Sequence, residues 1–279
     1  MNLSLNGTVL AVHRDGTEVE PTLSPRPYLH PVRTHGGTTV TEEYPDDHRH
    51  HLGVSMAVPD VSGTSFWGGR TFTPDRGSVL LDNHGRQEHL SWHVRENDHS
   101  VQELSWTDPD GNELLREERT VRAHDLNRQA WVLDVRVRLH NTSGTDLSVG
   151  SPATNGRPGA GYGGLFWRAP LGPTPPQCTG ADGLHGEQAL HGSRSPWLAL
   201  TGTTHTGRNW TLLFCQPGPH IDPWFLRAKE YPGLGPALAW EERLPLPAEK
   251  TVERTLRTAV CDGHPDRLED LAKTVLSLN

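Results

Sequence analysis

From Trp131 to His140 the chain places Trp, Leu, Val, Val and Leu on one parity and mostly charged residues on the other. A period of two is the signature of a strand with one dry and one wet face. The pattern recurs. Val101–Trp106 and Glu113–Val121 flank Asp108-Pro109-Asp110-Gly111, where Pro presets φ for a turn and Gly accepts a positive one, so this stretch is predicted as a hairpin. Further strands are expected over residues 8–13, 53–58, 88–95, 197–202, 210–216, 237–244 and 251–260. About ten strands joined by Gly/Pro turns imply an all-β, antiparallel β-sandwich. Only the end of the chain reads as helix: Pro265 and Asp266 precede Leu268, Leu271, Val275 and Leu278 at helical spacing, predicting a short C-terminal helix near 266–277.

The chain has 279 residues, which fits one large β domain spanning 1–279. Residues 151–195 are rich in Gly and Pro and poor in strand signals, so they are expected to form a long structured loop, a kind of segment that often carries function. A net charge of −8 argues against a nucleic-acid partner, which normally needs a concentrated basic face. No apolar run approaches the roughly 20 residues of a membrane helix. Met1–Gly7 lacks a basic stretch followed by an apolar region, as a secretion signal would need, and Cys178, Cys215 and Cys261 fall outside any Cys-x-x-Cys pattern. The expectation is a cytoplasmic protein with reduced thiols.

The densest polar cluster runs from Glu42 to His51, with four carboxylates (Glu42, Glu43, Asp46, Asp47) and three imidazoles (His48, His50, His51). Such a group moves protons, hydrogen-bonds a ligand or binds a divalent metal; in extended chain His48 and His50 would share a face, with His51 on the other. No second half of a metal motif follows at fixed spacing, so no metal ligand is assigned. A second cluster is Asp82–Arg86, containing His84. A third is Pro219–Tyr231, where His220, Trp224, Arg227 and Glu230 mix aromatic and charged groups suited to sugar C–H faces and hydroxyls. Half of the 18 aromatic residues are Trp, which suits sugar stacking and a β core equally. Glycoside hydrolysis uses two carboxylates about 5–10 Å apart. Glu43, Asp47, Glu118, Glu230 and Glu241 are the available ones. Gly-x-Ser-x-Gly, phosphate-loop and His-Glu-x-x-His motifs are absent, and Gly159–Gly164 lacks the strand-to-helix context of a dinucleotide loop, leaving Tyr162 as a ligand contact.

Arg26-Pro27-Tyr28, Pro31-Val32-Arg33-Thr34, Asp47-His48-Arg49-His50-His51-Leu52-Gly53, Phe66-Trp67, Tyr162-Gly163-Gly164-Leu165 with Arg168, and Trp224 with Arg227 together resemble the DUF6807 family, also called the PmoA family. The oxygenase label attached to that second name belongs to a membrane protein and does not suit this chain. The resemblance implies a sandwich similar to the galactose-mutarotase supersandwich, whose sites pair a His acid with a carboxylate base. The leading expectation is an enzyme performing acid–base chemistry on a sugar or keto-sugar by glycoside cleavage, elimination or epimerisation. His50, His51, Glu118 and Glu230 are the candidate proton-transfer residues, and Arg33, His48, His84, Tyr162, Arg168, His220, Trp224 and Arg227 the candidate ligand contacts. A non-catalytic sugar-binding or regulatory protein and a metal-dependent enzyme are the rival expectations.

Overall fold

The computed structural model describes residues 1–278. Its frame is two antiparallel sheets. One holds seven strands in the order Asn2–Leu5, Thr8–Arg14, Tyr28–Val32, Val54–Ala57, Gly164–Arg168, Gly233–Pro236 and Trp224–Arg227. The other holds eight, in the order Gln177–Gly180, Trp197–Thr203, Asn209–Cys215, Thr251–Asp262, Ala130–Asn141, Glu113–Asn127, His99–Thr107 and Arg86–Arg95. The sandwich expected from the alternation is therefore present, and the hairpin across Asp108–Gly111 pairs Glu113 with Thr107.

One apolar cluster draws on both sheets. Val54, Met56, Leu165, Trp167 and Leu226 from the seven-stranded sheet meet Leu133, Val135, Leu212, Phe214 and Val260 from the eight-stranded one, and Trp167 stands edge-on to Phe214 with ring centres 5.4 Å apart. Two charges join this interior. Glu117 and Arg119 occupy the inward parity of Glu113–Asn127 and satisfy one another at 2.6 Å. The Trp106 indole donates to Glu117, and Arg119 donates to the Gln87 side chain and across the sandwich to the carbonyl of Pro27. Pairing and hydrogen bonding of this kind offset the cost of burying two ions.

The C-terminal helix Leu268–Leu276 lies within its predicted span and buries Ala272 and Val275 against a smaller cluster containing Leu213 and Ala259. No helix among the described residues is long and apolar enough to cross a membrane. All three cysteines are free and buried.

Two readings are corrected. Residues 151–195 are not one loop, because Gly164–Arg168 forms an interior strand of the seven-stranded sheet, with Gln177–Gly180 and the short helix Glu187–Leu190 following it. Every residue of Gly164–Arg168 is buried, so the strand shows no polar parity to betray it. The strand expected over residues 237–244 is displaced to Gly233–Pro236 and Leu244–Leu246. Ala237, Leu238 and Ala239 are buried in succession, a pattern without the alternation of a half-exposed strand.

Candidate functional site

The core side of the seven-stranded sheet is fixed by Leu165, Trp167, Leu226 and Leu234, so alternation sends Phe166, Arg168, Phe225 and Arg227 to its other face. Register then aligns them. Arg168 pairs with Gly233, and Gly233 with Arg227, placing two guanidinium-bearing residues on either side of a glycine. A Cβ at Gly233 would lie 2.7 Å from the Tyr231 ring and 2.9 Å from Phe166, and its backbone φ is not positive, so the requirement for glycine is steric. The strand Gly-Leu-Gly-Pro thus leaves room on this face, and Tyr231 folds back over it.

Above this floor lies a cavity of about 490 Å³. One wall is the segment that precedes strand Val54–Ala57. It is not extended, so the shared face that extended chain would give His48 and His50 does not arise. His48 N–H donates to the Pro45 carbonyl and His51 N–H to that of His48, making two successive turns that bring all three imidazoles together. His48 stacks on His51 with ring centres 4.6 Å apart and 15° between planes, and the His50 ring stands edge-on to His51 at 4.8 Å. Next to the histidines the lining is aromatic: the Trp67 ring stands edge-on to His51 at 5.7 Å, and Tyr162 packs on Trp67 at 4.6 Å and on Phe225 at 5.3 Å.

The three histidines are chemically unlike. His51 is buried, and its Nδ1 lies 3.3 Å from Nη1 of Arg168. A guanidinium only donates, so this Nδ1 is an acceptor and the proton sits on Nε2. Burial, and then the neighbouring His50, hold its pKa well below the usual 6.5. Burial, and next the Arg26 charge, press His50 down to about 3. Both rings are neutral at physiological pH. His48 instead keeps a third of its side chain exposed and places Nδ1 2.9 Å from Oδ2 of Asp47. An ionised Asp47 makes that nitrogen the donor and leaves Nε2 as the basic atom, with no partner among the described residues. Burial pushes the Asp47 carboxyl up, but hydrogen bonds from His48 and Arg168 outweigh it and hold the group below its ordinary value.

Two arginines are wholly buried beneath this wall. Arg168 reaches Glu42 through Nε at 3.2 Å and both oxygens of Asp47, and its guanidinium lies 4.7 Å from the Tyr231 ring centre. Arg26 has no carboxylate within ion-pair range among the described residues. It donates to the carbonyls of Leu23, Ser24, Trp67 and His50, with the last contact 2.6 Å, and burial drives its pKa down to about 9. Arg26 therefore binds the loop carrying His50 to the one carrying Trp67.

His48, His50, His51, Tyr162, Arg227 and Glu230 line the cavity, with Arg168 directly behind it. His84 stands one layer back, Nε2 2.7 Å from the carbonyl of Gly69 on the cavity rim. The other four candidates lie elsewhere. Glu118 points to the outer face of the eight-stranded sheet and pairs with Arg138, because the inward parity belongs to Glu117 and Arg119. Trp224 is in the core, its indole donating to the Ser195 carbonyl; Phe225, one position on, is the aromatic residue facing the cavity. His220 joins Asp222 and Arg254. Arg33 sits in a bridge with Thr39, its carbonyl accepting from the Trp131 indole. No group of three or more His, Cys, Asp or Glu among the described residues is arranged to hold a metal ion. Sequence reasoning also missed Arg70 and Arg157, exposed arginines on separate loops that converge only in the fold.

A family model described as a family of unknown function, DUF6807, matches residues 1–274. No curated protein matches the chain. Among solved structures, the heparan sulfate lyase HepC from Pedobacter heparinus is 13% identical over 67% of this chain and 23% of its own, with a TM-score of 0.31. A heparinase III is 10% identical over 66% of this chain and 22% of its own, with a TM-score of 0.25. The chain spans less than a quarter of either protein.

Proposed function

The chain belongs to the DUF6807 family, and on that premise and the geometry of its cavity we propose that it is an enzyme performing acid–base chemistry on a sugar. The supporting observation is the Asp47–His48 pair, 2.9 Å apart on the lining of a pocket that carries both aromatic rings and polar groups. Trp67, Tyr162 and Phe225 offer flat apolar surface to sugar C–H groups, while imidazoles and guanidinium groups face hydroxyls. This division is what a polar, ring-shaped ligand requires.

In this reading Asp47 orients His48 and stabilises its protonated form, and His48 Nε2 removes a proton from a hydroxyl or from a carbon activated by an adjacent carbonyl. The Tyr231 ring lies 4.5 Å from that of His48, and burial raises the pKa of its phenol, so it stays protonated and donates to the oxygen on which charge develops. Arg227 adds a second donor there. The proton on His48 then passes to the departing oxygen in an elimination, whereas in an epimerisation the carbon takes its new proton from solvent on the opposite face. His50 and His51, neutral at physiological pH, hydrogen-bond the substrate and position His48. The roles expected for His50 and for His48 are thereby exchanged.

The test is a screen of glycosides and 3-keto-glycosides with product detection by mass spectrometry, repeated on His48→Ala. Turnover lowered by about 10²- to 10⁴-fold is expected for the loss of a positioned acid or base. Sugar binding with no turnover in the wild-type protein defeats the catalytic reading and leaves a binding protein.

A further inference from the structure

Charge around the cavity departs from the balance of the chain as a whole, whose net charge is −8. Arg49, Arg70, Arg157 and Arg227 line it, and none has a carboxylate within 4.0 Å among the described residues. Arg70 and Arg227 spend part of their donor capacity on protein: Arg70 donates to the carbonyl of Ser78 through Nε and Nη2, and Arg227 uses Nη1 on His191 and on the carbonyl of Leu226. Nε and Nη2 of Arg227 have no hydrogen-bond partner among the described residues. Arg26, wholly buried behind His50, adds a fifth cation without a counter-ion, while the charge of Arg168 is already met by Glu42 and Asp47. The carboxylates on the lining are Asp46, Asp47 and Glu230, and Asp47 is engaged by Arg168. A buried cation facing only carbonyls and the Ser55 hydroxyl, together with guanidinium groups gathered from four separate loops and strands, makes a local positive field in an acidic protein.

We infer that the ligand of this cavity is a sugar carrying a fixed negative group, a carboxylate or a phosphate, held by Arg227 and Arg157 while its ring lies against Trp67, Tyr162 and Phe225. Planar guanidinium forks match the two oxygens of a carboxylate and the edge of a phosphate, which neutral hydroxyls do not require. The inference rests on the sugar reading above and narrows it.

Calorimetric titration of the full chain with glucuronate, galacturonate and glucose 6-phosphate, each beside its uncharged parent sugar, tests it. The charged member of a pair should bind at least about tenfold more tightly at low salt, and that preference should shrink as ionic strength rises. Uronates favoured over the phosphate identify the carboxylate, and the reverse identifies the phosphate. Arg157→Gln, which alters an exposed residue, should cut the preference several-fold while leaving the uncharged parents unaffected, and Arg227→Gln should cut the preference as well while also weakening the uncharged parents. Equal binding of charged and uncharged sugars overturns the inference and leaves the sugar reading standing. Binding of acetate or inorganic phosphate with no sugar bound retains the anion site and defeats the sugar reading. No binding by any member of the panel overturns the inference.

Discussion

Arg168 grips Asp47 across 121 residues of sequence, with Nη2 3.0 Å from Oδ1 and Nη1 3.3 Å from Oδ2, and Asp47 in turn holds Nδ1 of His48 at 2.9 Å. The guanidinium is wholly buried on a central strand, whereas the carboxylate is two-fifths exposed. A rigid cation in the sheet therefore fixes the direction of an imidazole on a loop.

Asp47→Asn should keep the loop in place yet remove the charge that selects the His48 tautomer. The expected loss in kcat is about 10²-fold or more, with KM nearly unchanged. An equal loss in Asp47→Asn and Arg168→Lys, accompanied by a raised KM, would show that Asp47 only shapes the pocket.

His50→Gln should retain turnover within about tenfold of wild type and weaken substrate binding, since its imidazole, held at about 3, stays neutral and moves no proton. A thousandfold loss of kcat with unchanged KM would return the proton-transfer role to His50.

Stability should fall as pH is lowered from 6.5 towards 3. Burial holds His13 at about 4 and His50 at about 3, against 6.5 for a free ring, so over that window the unfolded chain binds protons that the folded one refuses. Each such ring contributes up to about 1.4 kcal/mol per pH unit, and the depressed Asp47 acts in the same sense. Thermal midpoints measured from pH 7 to pH 4 check this. His50→Gln should flatten the slope, and a midpoint independent of pH would contradict the burial of these rings.

Gly233→Ala should destabilise by about 1–3 kcal/mol and impair activity, because the new methyl group displaces Tyr231 or Phe166. Denaturant midpoint and turnover, measured on the same preparation, should fall together. Full activity in a stable variant would mean that Tyr231 takes no part in the chemistry.

Glu117→Ala should cost about 3–5 kcal/mol, leaving Arg119 without its counter-ion and the Trp106 indole without its acceptor. Glu118→Ala, one residue away on the exposed face, should shift the denaturant midpoint by less than 1 kcal/mol equivalent. Equal effects would refute the strand parity.

Sheet architecture was legible because Ala130–Asn141 and Glu113–Asn127 each have one wet face. The histidine cluster was legible because its members are neighbours in sequence. Alternation failed where both faces of a strand are covered, as in Gly164–Arg168 and Gly233–Pro236, and those strands carry Arg168 and the glycine beneath Tyr231 that back the cavity. Parity also decides between adjacent residues of similar chemistry, and only the packed core fixes it: Phe225 faces the cavity rather than Trp224, and Glu117 is interior rather than Glu118. The difference among the three imidazoles arises from burial and from partners as remote as Arg168, which no spacing along the chain encodes.

The loop bearing His48 is closed on itself by two turns, bridged to its own return between Glu43 and Leu52, and tethered from below by Arg26. Its backbone is set before anything arrives, which has a kinetic meaning. Association should proceed in one phase, with an observed rate that climbs in proportion to ligand concentration and reaches no plateau, because diffusion together rather than closure of a lid limits capture. Selectivity among ligands should then appear in how long each one stays.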